Sequence, residues 1–362
     1  MDRKKIIGLG FKFLALEYLL SSHRKVKKQV GLRKRILCLL RGFSAEKYDL
    51  YQMKNNDYKL YLSDYQRRKT AIINGRYSII LSDKTLFSKL FEKDNLTAET
   101  YGTINRGVIL INDKAVSFIE FIDLIKDKKK LILKIFNGGG GKNIHRLNFV
   151  EETFFLNGNQ IEKRDLKAFI GNLDNLYLIN EHLEQADYAK EIYPNTVNSI
   201  RILTMIEPNT NKVIIPVAVH KFGSDKTGHA DNVWRGGMTA LIDIESGVLQ
   251  KSALHLENNE KIKWQEQHPD TKVSVSGTRV PNWEAVKSKI IEVAKLANSF
   301  NIKYVGWDIV VTNNGIKLIE GNNCSDVNIL QIHHPLLRDS EAVKFYRHYI
   351  IIEHTGFQRN HI

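Results

Sequence analysis

Cysteine is scarce in this chain, whose 362 residues include only Cys38 and Cys324. Two cysteines so far apart form neither a disulfide framework nor the paired spacing of a zinc site, so we expect a reducing compartment. The expected environment of Cys324 is that of a small buried side chain. His145 and the pair His333–His334 lack the spacing with a carboxylate that would indicate a zinc-binding helix.

Long apolar runs are also missing. No stretch approaches the roughly 18 apolar residues of a membrane-spanning helix. The basic start resembles a signal peptide, but Lys12 and Glu17 interrupt its apolar run and no small-x-small cleavage site follows. Repeats and low-complexity linkers are absent as well. We therefore expect a globular cytoplasmic protein with about two or three lobes.

Positive charge is concentrated at one end of the chain. Residues 1–42 contribute +10 of the formal net charge of +14, from twelve Lys or Arg residues against Asp2 and Glu17. Apolar residues recur between them at helical spacing, which predicts one or two basic amphipathic helices. Two interpretations stay open: a docking surface for an anionic membrane or an acidic partner, and a helical cap packed on the body of the protein. Nucleic acid is not an expected partner, because no binding motif or aromatic stacking pattern is present.

The segment 304–323 carries several candidate metal ligands. Two apolar runs in it flank Thr312–Gly315 and predict a β-hairpin. With a three-residue loop that ends in Gly315 at positive φ, Asp308 lies directly opposite Glu320, and Asn322 shares their face. Opposed carboxylates repel, so the pattern indicates a cation between them, and hard oxygen ligands suit Mg²⁺ or Mn²⁺. The alternative is a solvent-facing hairpin whose acids have no special role. A loop of two or four residues would break this register.

A second motif is a run of glycines directly after a strand. The strand Leu131–Phe136 carries Lys134 and leads into Gly138, Gly139, Gly140 and Gly141. Consecutive glycines cost conformational entropy unless the backbone itself is needed, and exposed backbone N–H groups can cradle phosphate oxygens. The spacing of a Walker A loop is missing. The alternative is a flexible surface hairpin.

Four further segments carry charged or polar residues that could bind a ligand. Asp83 is a predicted N-cap for a helix that starts with Lys84. The strand 176–184 ends in acids that could meet an adenosine. Arg201 alternates with apolar neighbours on the strand 198–206 and is either a phosphate clamp or the partner of a buried acid. The residues 231–237 form a polar loop that ends in glycine.

Taken in this order, the segments resemble the ATP-grasp superfamily and, more narrowly, its family associated with sugar transfer. The matching stretches lie within residues 43–337 and are Leu81–Phe87, Lys134–Gly141, Asn198–Arg201, Asp231–Gly237, and Gly306–Asp308 with Glu320–Asn322. The resemblance implies an α+β ATP-grasp fold, in which two α+β lobes grip ATP, with a basic helical N-terminal segment. The expected divisions are the basic segment 1–42, a helical and α/β region 43–125, a small lobe with the glycine-rich loop 126–182, a C-terminal lobe with the magnesium site 183–340, and a tail 341–362.

The resemblance also implies a role for each site residue. Nucleotide binding is implied for Lys84 and Lys134 at the α- and β-phosphates, Gly138 to Gly141 over the triphosphate, Glu181 and the backbone near Leu183 at the adenine, and Glu184 or Asp187 at the ribose. One or two Mg²⁺ (or Mn²⁺) would be held by Asp308, Glu320 and Asn322. Catalytic roles are implied for Arg201, Lys134 and Asn322, with Arg201 steadying the transferring phosphoryl group. The acceptor side would include Asn198, Lys221, Asp231, Asn232, Arg235, Gly236 and Gly237.

The implied activity is that of an ATP-grasp ligase, which converts ATP to ADP and phosphate. A carboxylate phosphorylated by ATP becomes an acyl-phosphate that an amine can attack, and the protein mainly positions the reactants and neutralises charge. The expected substrates are carboxylate and amine small molecules or a precursor of a cell-surface polysaccharide such as capsule. The resemblance also implies glycan-assembly enzymes as partners that residues 1–42 could contact. Two alternatives remain: an ATP-grasp phosphotransferase that acts on a sugar hydroxyl, and a non-catalytic nucleotide-binding docking protein.

Overall fold

The computed structural model describes residues 30–92, 95–136, 143–228, 230–254 and 262–352. The glycines Gly138 to Gly141 and residues 1–29 of the basic segment lie outside these ranges. Within them the chain forms two antiparallel sheets with helices packed on both, so the predicted α+β class is confirmed.

Short helices precede the first sheet. They are α1 (Leu32–Leu40), α2 (Lys47–Leu50), α3 (Asp64–Lys69), α4 (Ile79–Ser82) and α5 (Lys84–Phe91), with 3₁₀ turns at Tyr58–Leu60, Thr70–Ile72 and Gly75–Ser78. The predicted N-cap of α5 is confirmed, because the Asp83 carboxylate accepts hydrogen bonds from the N–H groups of Thr85 and Leu86. Buried Cys38 fixes one edge of α1 against Phe43 and Tyr51.

The first sheet has eight strands among the described residues, in the order β3-β2-β1-β8-β4-β5-β6-β7. They are β1 (Thr100–Asn105), β2 (Val108–Ile111), β3 (Lys114–Val116), β4 (Lys130–Ile135), β5 (Ile144–Val150), β6 (Thr153–Leu156), β7 (Asn159–Ile161) and β8 (Leu176–Glu181). Two helices, α6 (Phe118–Lys128) and α7 (Lys163–Gly171), share its apolar core, to which Phe121, Leu133 and Leu166 belong. The side chains of Ser117 and Glu120 form a capping box that starts α6.

The second sheet has seven strands in the described part of the chain, in the order β13-β12-β11-β10-β9-β14-β15. The short helix α8 (Asp187–Ile192) leads into β9 (Ile200–Ile206), β10 (Val213–Phe222), a 3₁₀ turn at Val233–Arg235, β11 (Met238–Ile242), β12 (Leu249–Leu254), β13 (Lys263–Gln265), the long helix α9 (Trp283–Ser299), β14 (Tyr304–Thr312) and β15 (Gly315–Asn322). Then α10 (Asn328–Gln331), a 3₁₀ turn at Leu336–Arg338 and α11 (Ser340–His348) complete the described chain.

Both faces of the second sheet are covered. Apolar residues of α9, among them Val286 and Ile290, pack with Trp307 on one face. Residues of α11, among them Phe345, pack with Tyr304 on the other face. Successive residues of β14 point to the two covered faces in turn, so Asp308 on this strand is buried. No helix in the described ranges is long and apolar enough to cross a membrane.

Candidate functional site

The hairpin β14–β15 pairs Asp308 directly with Glu320, as predicted, although the predicted loop is wrong. Thr312 pairs with Gly315, so the loop has two residues rather than three. An irregularity between the pairs Ile309–Leu318 and Asp308–Glu320 leaves Ile319 as an extra, bulged residue. The bulge absorbs the one-residue shift that the shorter loop would cause. Gly315 has the predicted positive φ, at +138°.

Asp308 is buried in a row of charges that crosses four strands. On β9, the Nε and Nη2 atoms of Arg201 lie 2.6 and 2.8 Å from the two Asp308 carboxylate oxygens. On β10, the Lys221 ammonium lies 3.3 Å from the same carboxylate. Of the two interpretations of Arg201, the structure shows a partner of a buried acid. Burial by itself raises the pKa of Asp308, but the charges of Arg201 and Lys221 hold it well below its usual range.

The pKa of Glu320 is shifted in the opposite direction. Burial and the neighbouring charge of Asp308 raise the pKa of Glu320. The Asn322 side chain donates to a Glu320 carboxylate oxygen at 3.3 Å and to the Gly306 carbonyl at 3.2 Å. Among the described residues, no group of three or more His, Cys, Asp or Glu could hold a metal ion. The carboxylates of Asp308 and Glu320 and the amide oxygen of Asn322 are hard oxygen donors of the kind that suits Mg²⁺ or Mn²⁺, and the charged form of buried Glu320, beside Asp308, would gain from a cation.

A cavity of about 460 Å³ between the two sheets brings together four of the predicted phosphate and metal residues, and Asp308 is not among the residues that line it. Its walls include Lys84, Lys134, Glu320 and Asn322. The Lys84 ammonium donates to the Ile135 carbonyl at 2.5 Å. Burial and the nearby charge of Lys84 lower the pKa of Lys134 to about 8. The lysines of β4 and α5 therefore face the acid Glu320 and the amide Asn322 of β15 across one cavity.

The position of Lys84 depends on a close contact between α5 and β15. A Cβ atom at Gly321 would lie 2.8 Å from a Leu81 methyl group and 3.1 Å from the Phe87 ring. Glycine therefore lets α4 and α5 approach the strand between the two predicted ligands Glu320 and Asn322. Phe91 of α5 also packs edge-on against Trp307, with ring centroids 5.5 Å apart. These contacts hold the helix that carries Lys84 against the cavity.

The residues predicted for the adenine and the ribose lie elsewhere. They line a second cavity of about 1300 Å³ beside the start of α9 and the hairpin loop, and they are Glu181, Leu183, Glu184 and Asp187. Glu184 is paired with Lys130 at 2.6 Å. The structure thus brings Lys84, Lys134, Glu320 and Asn322 together at one cavity, and it places the four other residues at another.

The segment Asn95–Thr97 lies between the two cavities. Leu318 of β15 donates its N–H to the Leu96 carbonyl at 2.6 Å. The Lys317 ammonium lies 2.7 Å from the Asn95 side-chain oxygen and 3.4 Å from the Glu181 carboxylate. A carboxylate oxygen of Glu181 also accepts from the Glu99 N–H at 3.1 Å. Contacts to the rest of the chain therefore occupy Glu181 itself.

Sequence reasoning missed two side chains on the wall of the smaller cavity. Leu178 and Asn180 of β8 both line it. Strand alternation places these two residues on one face, and that signal could have found them. The Asn180 amide donates to the Glu99 carbonyl at 3.3 Å and to the Thr100 hydroxyl at 2.8 Å, so it fastens β8 to the start of β1.

Asn198, predicted on the acceptor side, has a structural position. It is fully buried, and its amide donates to the carbonyls of Ala189 and Tyr193 at 3.0 and 2.7 Å. Its side-chain oxygen accepts from the Thr196 hydroxyl at 2.9 Å and from the Gly223 N–H at 3.1 Å. With these bonds made, Asn198 holds α8 to β9 and has no group left for a substrate.

The other predicted acceptor residues are Lys221 and residues of the loop 231–237. The Lys221 ammonium lies 3.7 Å from the Asp231 carboxylate, which also accepts from the Ser199 hydroxyl at 2.5 Å. The remaining four lie in the next turn: the Asn232 side chain accepts from the Trp234 N–H at 3.1 Å, Arg235 is exposed, and Gly236 at φ +95° precedes Gly237. Cys324, expected to be buried, is half-buried and lies 3.3 Å from the Arg67 carbonyl.

A sequence model described as "Sugar-transfer associated ATP-grasp" matches residues 63–344. The chain belongs to this ATP-grasp family. The resemblance drawn from the separate motifs is thereby confirmed, and the two-sheet architecture is the ATP-grasp fold. A search of curated proteins returns no match.

Solved structures similar to this ATP-grasp protein are distant. The ATP-grasp ligase PsnB, solved with a phosphomimetic variant of a minimal precursor, Mg and ADP, is 11% identical over 75% of this chain and 60% of its own, with a TM-score of 0.37. D-alanine–D-alanine ligase from Bacillus anthracis is 11% identical over 75% of this chain and 69% of its own, with a TM-score of 0.39. D-cycloserine synthetase DcsG is 11% identical over 85% and 82% of the two chains, with a TM-score of 0.40.

Proposed function

We propose that this ATP-grasp protein is an ATP-dependent carboxylate–amine ligase that acts through an acyl-phosphate and modifies a cell-surface polysaccharide or its precursor. The observation that carries the proposal is the cavity in which Lys84 and Lys134 face Glu320 and Asn322. Ammonium groups neutralise a polyphosphate, and hard oxygen ligands suit the Mg²⁺ that accompanies it. The family's link to sugar transfer supports a glycan acceptor.

In the proposed reaction the chain mainly binds, positions and neutralises. Lys84 and Lys134 hold the α- and β-phosphates, and Gly138 to Gly141 close over the triphosphate to exclude water. Asp308, Glu320 and Asn322 would hold Mg²⁺ or Mn²⁺, which supplies positive charge at the transferring phosphoryl group when bound. Arg201 keeps Asp308 ionised and in place, since both carboxylate oxygens accept from its guanidinium.

The adenosine and the acceptor are proposed to flank this centre. Adenine would bind near Glu181 and Leu183 and the ribose near Glu184 or Asp187, beyond the segment Asn95–Thr97. The acceptor carboxylate would approach along the loop that carries Asp231, Asn232, Arg235, Gly236 and Gly237, next to Lys221. An enzyme that consumes ATP and keeps its cysteines reduced is proposed to act in the cytoplasm.

A thermal-shift experiment with a non-hydrolysable ATP analogue and Mg²⁺ tests the nucleotide site. At about 100 times its dissociation constant the ligand should stabilise the wild type by roughly 2.7 kcal/mol. Glu320→Gln removes a proposed metal ligand at nearly constant shape and should lose the Mg²⁺-dependent part of the shift. Glu341→Gln, at an exposed acid paired with Lys212, should keep it. A folded wild type without any shift would contradict the nucleotide site.

Product analysis then tests the reaction. Uronic acids and amino acids are screened as acceptor and amine for ATP-dependent release of phosphate. A ligase releases free phosphate and leaves an amide, and hydroxylamine should trap the acyl-phosphate as a hydroxamate. Phosphate that stays on an acceptor hydroxyl would instead identify a phosphotransferase.

A further inference from the structure

Helix α1 presents an apolar stripe to solvent. Leu32, Ile36 and Leu40 are 65%, 49% and 81% exposed, and the spacing of four residues places them along one side of the helix. The opposite edge is anchored by buried Cys38. The helix is therefore fixed to the body of the protein while its apolar stripe faces outwards. Three exposed aliphatic residues in a row on one helix differ from the scattered single ones that are ordinary on a protein surface.

The charged residues within the helix itself are all positive, and the acid Asp49 lies outside it, paired with Lys34 at 3.0 Å. The helix Leu32–Leu40 contains no acid, and Arg33, Lys34 and Arg35 stand within it. Arg41 follows directly, with its guanidinium 3.8 Å from the centre of the Tyr58 ring. Residues 1–42 together carry +10 of the net charge. An apolar stripe set in basic residues matches an amphipathic helix that lies in the interface of an anionic membrane.

We propose that the face formed by Leu32, Ile36, Leu40 and Arg33 docks on an anionic lipid bilayer. A second copy of the chain could also cover this face, but charge favours the membrane. Two copies would bring two strongly basic segments together, whereas a negatively charged bilayer attracts the basic segment. Three aliphatic side chains alone give weak insertion, and the basic residues supply the second, electrostatic contribution that stable anchoring needs. This surface is independent of the proposed ligase reaction, and it would hold the enzyme at the membrane.

Cosedimentation of the full chain with vesicles tests the proposal. Wild type should bind vesicles that contain about one quarter phosphatidylglycerol in phosphatidylcholine, and should not bind phosphatidylcholine alone. Ile36→Ser/Leu40→Ser should weaken binding at least about tenfold, because the insertion of two apolar side chains is lost. The matched control is Val108→Ser/Ile119→Ser, at residues 55% and 73% exposed in the first sheet and on α6, and it should bind like wild type. Raising the salt concentration should release the wild type.

Each other outcome overturns the proposal. Equal binding by wild type and Ile36→Ser/Leu40→Ser would show that the apolar stripe does not contact the bilayer. If wild type does not bind the vesicles, the face does not dock on an anionic membrane. A dimer of wild type in solution that the double variant abolishes would assign the face to a second copy. A lower free energy of unfolding in the double variant than in the control would mean that part of the chain itself covers the stripe. The thermal shift with Mg²⁺ and the ATP analogue shows separately whether the nucleotide site is intact in every variant.

Discussion

Asp308 and Glu320 face each other across one hairpin, yet their surroundings drive their ionisation in opposite directions. Asp308 has Arg201 and Lys221 within hydrogen-bonding or ion-pair distance, whereas Glu320 faces a buried carboxylate. The charged form of Asp308 is therefore stabilised by its two cationic neighbours, whereas the charged form of Glu320 would gain from an added cation. Removing Arg201 would leave a buried charge short of a partner, a change that typically costs about 3–5 kcal/mol.

The sequence could place Asp308 opposite Glu320, because that pairing follows from strand alternation close to one turn. It could not choose between the two interpretations of Arg201, because the partner lies on a strand far away in the chain. The same limit explains Asn198, whose hydrogen bonds are made to α8 and to the end of β10. A sequence motif shows which residue types are present. What each of them contacts depends on residues that are distant in the sequence and close in the fold.

Lys134 gives a prediction on pH. The unfolded lysine keeps its proton to about pH 10.4, whereas the folded one releases it at about 8. Between these values the unfolded chain binds more protons, so the free energy of unfolding without nucleotide should rise with pH. Binding of the ATP analogue should weaken over the same range, by up to about tenfold per pH unit, because phosphate needs the ammonium form. Calorimetric titrations from pH 7 to pH 10 would measure this.

Lys134→Arg provides the control for this prediction. A guanidinium stays charged throughout this range, so the affinity of the variant should be nearly independent of pH, whatever its absolute value. A wild-type affinity that does not change between pH 7 and pH 10 would contradict the role of the Lys134 charge.

At the scale of elements, the hairpin shows what pattern reasoning can and cannot supply. Both strands, the positive φ of Gly315 and the Asp308–Glu320 pair were predicted, but the bulge at Ile319 was not. The bulged Ile319 is apolar like Leu318 before it and lies next to the charged Glu320, and this local pattern does not by itself show which residue is extra. The shorter loop and the bulge offset each other, and a correct pairing was reached from a wrong loop.

The contact of α5 with β15 gives a prediction at the same scale. Gly321→Ala would bring a methyl group within 2.8 Å of Leu81 and 3.1 Å of Phe87, so α4 and α5 must shift. Overpacking of this kind typically costs about 1–3 kcal/mol of the free energy of unfolding. Because α5 carries Lys84, affinity for the ATP analogue should fall as well. Urea unfolding and calorimetry measure the two effects.

Gly171→Ala is the matched control. No heavy atom lies within 4 Å of a Cβ at this glycine, which stands at the end of α7. The variant should keep nucleotide affinity and be as stable as wild type or slightly more stable. Equal behaviour of both alanine variants would show that the approach of α5 to β15 has no consequence for the site.

At the scale of the whole molecule, the order of the motifs was sufficient to predict the ATP-grasp fold. It was not sufficient to predict two cavities in place of one. Their separation depends on the segment Asn95–Thr97, which joins α5 to β1 and lies along β15. Nothing in its composition marks that position, because its contacts are made by backbone groups and by Lys317.

Lys317 therefore gives a prediction about how the two sheets are joined. Lys317→Met removes the ammonium that contacts Asn95, Thr97 and Glu181. Segments with fewer contacts open more often, so hydrogen exchange should be faster at the amides of Glu99 and Leu318. Lys212→Met, at an exposed ion pair with Glu341, should leave exchange at both amides unchanged. Unchanged exchange in Lys317→Met would mean that the backbone contacts hold the segment without the side chain.

The bulge at Ile319 has a further consequence for how this site can vary. Ile319 is the surplus residue of the ladder, so loss of its single codon would leave the partners Asp308 and Glu320 in regular register. Its side chain also lines the smaller cavity next to Glu320. The shape of the cavity wall can thus change, by substitution or deletion at one position, while the carboxylate geometry stays in place. The shape of the cavity wall and the pairing of the two carboxylates are thus separable properties of this hairpin.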